Sequence, residues 1–246
     1  KIGIILFLAA YISSKSREMR QWKKMVIPFL FAIPIIVIVG IENLSTCIIL
    51  LAISFIMIFV ATPLWVPFVV IGLIGVAGAG GLLLTQGYRM ERITVWLDPA
   101  ASEKGHQTIQ GLYAIGSGGL FGKGLGQSMQ KLGFLPEANN DMIFSVICEE
   151  LGLFGALCVL ALFFALIWRF MVIAVNAPDL YGSMIVVGVI AHIGIQVFIN
   201  IAVATNTIPN TGIPLPFISY GGSSLVFMLL EMGLVLSVSR YINVKK

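Results

Sequence analysis

The chain has 246 residues, of which 59% are hydrophobic and only 11% charged, with a formal net charge of +4. Soluble domains carry about 25% charged residues, so this composition, with a mean hydropathy of +1.02, excludes an ordinary soluble enzyme and points to a lipid bilayer. Cys47, Cys148 and Cys158 fall in apolar runs without CxxC spacing, which argues against a disulfide framework or a zinc site and for small buried hydrophobes.

Seven apolar segments follow in order, at about 2–13, 25–41, 45–62, 65–85, 142–168, 182–205 and 223–239. Most reach spanning length, and none shows the alternation of a membrane strand, so each is expected to satisfy its backbone in lipid as a helix. The first covers about 18 Å of helix against a hydrocarbon core of about 30 Å. Because residue 1 is Lys rather than Met, the chain is expected to begin inside a helix, without its natural N-terminus and with no readable signal peptide. Pro28 and Pro34 predict a late start or a kink in the second segment. Ile41–Thr46 is a polar break, and the small residues of Gly75–Gly81 allow close helix packing in the fourth segment.

Basic residues orient the segments. Lys15, Arg17, Arg20, Lys23 and Lys24 between the first two segments, Arg169 in the linker after the fifth, and Arg240, Lys245 and Lys246 in the tail share one side when there are seven crossings. The positive-inside rule places these, the Ala177-Pro178-Asp179 turn and the C-terminus in the cytoplasm. A nucleic-acid role for Ser14–Lys24 is discounted, since this short run lies between two spans. The opposite, extracellular side receives the polar, glycine-rich stretch 86–141, whose five basic residues are balanced by five acidic ones. Trp96, Leu112, Tyr113, Ile115 and Phe134 within it predict an ordered, packed loop. A second outward loop, Asn206–Gly222, is uncharged and proline-rich and is expected to be rigid.

Several ionisable or polar groups fall in apolar segments. Glu149 and Glu150 lie about 12 Å into a helix that starts near Asp141, where a charge is costly; one of them is expected to cap or pair with another helix, and a functional role is the alternative. His192, Gln196 and Asn200, four residues apart, form one stripe. Helix–helix hydrogen bonding or the lining of a polar cavity would account for it. Glu231, in the last segment, is a candidate partner for His192. Gly122-Lys123-Gly124 is not a phosphate loop, because Ser117 and Gly124 stand where that pattern needs Gly and Ser or Thr, and no strand precedes it. Its glycines still let backbone N–H groups approach an anion or a neighbouring helix. His106 has no partner at metal-ligand spacing, so no metal site is expected.

Four motifs occur in order: WLDP (Trp96–Pro99), GSGGLFGKGLGQSMQKLGFLPEANND (Gly116–Asp141), EELG (Glu149–Gly152) and GIPLPFISYGGSS (Gly212–Ser224). By these the chain strongly resembles, over almost its whole length, the SEDS family of FtsW, RodA and SpoVE, with the division and sporulation members the nearer. It departs from the family pattern at Ile41-Glu42-Asn43, Asn139-Asn140 and Glu231.

The resemblance implies an all-α, polytopic transmembrane helix bundle. The chain would supply about seven spans, helices four to ten of a ten-helix fold, as a single integral membrane domain over 1–246 with one large extracellular loop, in the bacterial plasma membrane. It implies a peptidoglycan glycosyltransferase that polymerises lipid II, an undecaprenyl-pyrophosphate-linked disaccharide-pentapeptide, in cell division or sporulation. A precursor flippase, or a scaffold for a class B penicillin-binding protein, are the alternatives. The catalytic aspartate of the LPExxxD motif maps onto Asp141, which as a carboxylate could deprotonate the attacking sugar hydroxyl. Arg89, Arg92, Lys123 and Lys131, with the Gly116–Gly126 backbone, are candidates to receive the pyrophosphate, and Glu137, Glu150 and Ser223 are further substrate-binding candidates. Expected partners are lipid II, a class B penicillin-binding transpeptidase, other divisome proteins and the membrane, with no nucleic acid. No cofactor is assigned, although a divalent cation is left open.

Overall fold

The computed structural model describes residues 1–16, 21–62, 87–102 and 105–242, without the side chains of residues 22–23 and 87–89. The fourth apolar segment and the Gly75–Gly81 stretch lie outside these. The described residues are helical, with no strand among them. The helices are α1 (Ile2–Ser14), α2 (Trp22–Glu42), α3 (Leu44–Ala61), α4 (Gly87–Leu97), α5 (His106–Gly118), α6 (Ile143–Val175), α7 (Leu180–Ala204) and α8 (Gly222–Arg240). Five of them, α2, α3, α6, α7 and α8, are long and apolar enough to cross a membrane, and α1 is a shorter apolar helix.

Two compact units are distinguished: Lys1–Ala79 with Leu166–Ile195 and Val226–Lys246, and Gly80–Ala165 with Gln196–Leu225. The first is apolar scaffold. Ile5, Leu8 and Ile12 of α1 and Ile49, Ile53 and Met57 of α3 are fully buried. A methyl at Gly188 of α7 would press on Ile5 and Met57, so the missing side chain is what allows this close approach. Leu30, Phe31, Ile35 and Ile38 of α2 stay exposed, as a lipid-facing surface would.

Of the two expectations for α2, the late start is not what forms. The helix begins at Trp22 and includes both prolines. The polar break shrinks to Asn43, whose side chain accepts from the Thr46 N–H at 2.9 Å and caps α3. Inside the first unit, Nδ1 of His192 lies 2.8 Å and 3.0 Å from the two carboxylate oxygens of Glu231, and both residues are buried. This is the pairing anticipated from the sequence.

Helix α6 differs most from expectation. It continues to Val175, so Arg169 lies within it rather than in a linker. It is also interrupted at Gly152, whose φ of 67° and ψ of −167° are non-helical. The part from Leu153 to Val175 is about 34 Å long, enough to cross a bilayer without what precedes it. Glu149 and Glu150 therefore sit on a separate short helix before the break, and the assumed depth of about 12 Å does not apply.

Candidate functional site

The second unit contains α4, α5, the start of α6 and the loop after α7. Its glycine-rich loop packs on the α6 break. The N–H groups of Lys123 and Gly124 donate to the carbonyls of Glu149 and Glu150 at 3.0 Å and 2.9 Å, and those of Leu153 and Phe154 donate to Gly119 and Leu120 at 2.9 Å and 3.1 Å. Four backbone groups freed by the break are thereby satisfied. Glycine is required for this contact: a Cβ on Gly118 would lie 1.9 Å from the Cys148 oxygen, and one on Gly122 would lie 2.2 Å from that of Glu150. Of the two uses foreseen for these glycines, the structure realises the close approach to a helix.

The side chains tie the same loop down. Lys123 Nζ is 2.6 Å from Glu149 Oε1, and Lys131 Nζ is 2.5 Å from Glu150 Oε1. Glu149 also accepts from the Ser128 hydroxyl at 2.5 Å and from the Met129 and Gln130 N–H groups at 3.3 Å each. Glu150 accepts from the N–H groups of Gly126 at 2.9 Å and Ser128 at 3.3 Å. The expected pairing of a glutamate holds for both residues, but with the loop rather than with another spanning helix. Lys123 and Lys131, candidates for a pyrophosphate, point their ammonium groups at carboxylates.

Asp141 closes the turn that precedes α6, and it is 7% exposed. Leu135, Ala138 and Met142 of this turn pack with Val146 and Val203, which fixes the backbone around the carboxyl. The loop after α7 clamps it further. Asn200 Nδ2 donates to the carbonyls of Asp141 at 2.7 Å and Ile213 at 2.8 Å. The Ser219 hydroxyl donates to the Asn140 carbonyl at 2.6 Å, and the Tyr220 N–H to that of Asn139 at 2.8 Å. Gln196 donates to the Pro214 carbonyl at 2.9 Å. Gln196 and Asn200 thus hold irregular backbone beside the helix.

The carboxyl itself meets Gln107 of α5, whose Nε2 is 3.4 Å from Oδ1. Gln107 Oε1 accepts from Asn210 Nδ2 at 3.1 Å, and Asn210 accepts from Arg92 Nη1 through its carbonyl at 3.2 Å. Beside Gln107 lies a cavity of about 180 Å³ whose lining includes Arg92, Trp96, Thr108, Asn206 and Asn210. The Trp96 indole N–H is held by the Asn206 carbonyl at 3.0 Å. Burial pushes the Asp141 carboxyl up to about 6, and the nearby Glu137 charge adds to this; the Gln107 hydrogen bond and the Arg92 charge oppose it.

Other candidates take varied positions. Glu137 is exposed, has a φ of 53°, and accepts from the Asn140 side chain. Ser223 is exposed in the first turn of α8, and the Arg89 side chain lies outside the described residues. His106 Nε2 is 3.0 Å from the Phe134 carbonyl. Among the described residues, no group of three or more His, Cys, Asp or Glu could hold a metal ion. Gln107 and Asn210 carry no motif of their own, and only the fold brings them to Asp141.

These features define a multi-pass helical membrane protein with a buried carboxylate where a loop meets a helix. Residues 1–244 match the family model FTSW_RODA_SPOVE, described as cell cycle protein. The chain is 47% identical to Stage V sporulation protein E of Bacillus subtilis (strain 168), over 98% of this chain and 67% of that protein. It is 35% identical to a protein named "Probable peptidoglycan glycosyltransferase FtsW" from Geobacter sp. (strain M18), over 97% and 66%. Among solved structures it is similar to one described as "Structural coordination of polymerization and crosslinking by a peptidoglycan synthase complex", with a TM-score of 0.78, 26% identity, and coverage of 99% of this chain and 69% of that one. It is also similar to Thermus thermophilus RodA, with a TM-score of 0.65, 28% identity, and coverage of 98% and 64%. The chain belongs to the FtsW, RodA and SpoVE family and spans about two thirds of the length of these relatives.

Proposed function

We propose that the protein of which this chain forms part is a peptidoglycan glycosyltransferase that polymerises lipid II, with Asp141 as general base. The observation that carries this reading is one buried carboxylate, held at its backbone by Asn200 and met at Oδ1 by Gln107, a residue that itself lines a cavity with Arg92. As the acceptor sugar hydroxyl attacks the anomeric carbon, Asp141 takes its proton. The new glycosidic bond forms as the bond from that carbon to the pyrophosphate breaks, and the electron pair leaves on the phosphate oxygen. A carboxyl that titrates at about 6 is ionised at neutral pH yet basic enough to accept a proton.

Arg92, which lowers the Asp141 titration by its charge, is the cation best suited to meet the pyrophosphate. Lys123 and Lys131, ion-paired with Glu149 and Glu150, then serve to shape the loop. With basic residues inside, stretch 86–141 faces the outer surface of the plasma membrane, where a class B penicillin-binding protein would receive the strand. The greater identity to the sporulation relative, 47% against 35%, favours a role in sporulation.

The test is lipid II polymerisation by the full-length parent, resolved on a gel. Asp141→Asn should reach the membrane in normal amount and form no polymer. Polymer from that variant would overturn the assignment, and translocation of precursor that survives the change would favour a flippase.

A further inference from the structure

Gly212, Asn210, Gln107 and Asp141 form a hydrogen-bonded chain with one allowed direction. The Gly212 N–H donates to Asn210 Oδ1 at 3.0 Å, Asn210 Nδ2 donates to Gln107 Oε1 at 3.1 Å, and Gln107 Nε2 donates to Asp141 Oδ1 at 3.4 Å. An amide side chain has one donating and one accepting end, a backbone N–H only donates, and an ionised carboxylate only accepts. Both ends of the chain are thus fixed in polarity, so neither amide can turn over without setting like against like. Arg92 holds the Asn210 backbone from the far side. The opposite carboxylate oxygen, Oδ2, faces Gly212, where even a built Cβ would come no closer than 3.9 Å.

We infer that Gln107 and Asn210 are positioning residues for Asp141: Gln107 holds Oδ1 with a hydrogen and so orients the carboxylate, and Asn210 acts through Gln107 by fixing which end of its amide faces the carboxylate. The inference rests on Asp141 being the base. Gln107 and Asn210 also line the cavity beside Arg92. The charged groups facing Asp141 are Glu137 in its own turn and Arg92 of α4.

The test uses the full-length protein in detergent with lipid II, and compares Gln107→Leu, Asn210→Ala and the double variant for kcat, KM and the acid limb of the pH profile. Each single change should lower kcat roughly 10- to 100-fold, as loss of an orienting partner does, with KM within about twofold. The acid limb should move to higher pH, because a donor that favours the charged carboxylate is gone. The double variant should match Gln107→Leu, since Asn210 works through it. If Gln107→Leu does not accumulate, Gln107→Met, which keeps the side-chain length, takes its place. An unmoved acid limb with intact kcat, or independent additive effects of the two changes, would overturn the inference while leaving the base assignment standing. Polymer formation by Asp141→Asn would instead remove the reading beneath it.

Discussion

Lys123 reaches Glu149 across the break in α6, with Nζ 2.6 Å from Oε1. The partners are unequal: the lysine side chain is 35% exposed and the glutamate fully buried. Glu149→Ala returns the ammonium to water at little cost. It leaves the Ser128 hydroxyl and the Met129 and Gln130 N–H groups without their acceptor. A loss of about 3 kcal/mol is expected, read as a lower midpoint of thermal unfolding in detergent. Lys123→Ala leaves the buried Glu149 carboxylate with its loop donors but without its cation and should cost a comparable amount.

The glycines of this contact should be graded by what a methyl would meet. At Gly152 a Cβ would stand 2.4 Å from the Gly122 nitrogen, at a φ of 67°. Gly152→Ala is expected to cost on the order of 3 kcal/mol or more. Gly126→Ala, with a φ of 80° but nothing within 4 Å, should cost only about 1–2 kcal/mol. Equal effects in a detergent melt would contradict the clash.

The pH dependence of activity and of stability should run in opposite directions through Asp141. With Asp141 as the base, activity should fall as pH drops through about 6. For stability, the folded chain binds this proton more tightly than the unfolded chain does. The contribution is therefore fully present below the ordinary value of 3.8 and is lost as pH rises to about 6. The ionised group thus costs up to about 3 kcal/mol at neutral pH. Asp141→Asn, which keeps an acceptor for Gln107, should melt higher than the parent at pH 7.5 and near it at pH 4.

The buried His192–Glu231 pair should behave as a unit. Glu231→Leu strips the imidazole of the partner 2.8 Å away and is expected to cost about 3–5 kcal/mol. Adding His192→Leu should recover most of this, since an apolar pair leaves no unmatched polar group. If the double variant is the less stable of the two, the pair is not a matched unit.

Spans were legible because lipid demands long apolar helices, and their ends came within a few residues for α3, α7 and α8. The break at Gly152 was not, because a glycine between Leu151 and Leu153 leaves hydropathy unchanged. Its signal lay 30 residues away, in glycines whose role depends on which carbonyl they meet. Asp141 could be marked because a motif carries it. Gln107 and Asn210 could not, since polar loop amides are common and only the turn around residues 137–141 brings them to one carboxyl. Asn200 was visible as part of a stripe, but its partners are backbone carbonyls, which no spacing rule identifies.

The interrupted start of α6 also bears on biogenesis. A helix with unpaired carbonyls and N–H groups at its mouth would enter lipid at a penalty of several kcal/mol per group. The groups that satisfy them belong to Gly119–Gly124, made some 30 residues earlier. Insertion of the Leu153–Val175 span and closure of the glycine-rich loop are therefore coupled: whatever keeps the loop from folding also keeps this helix from settling into lipid.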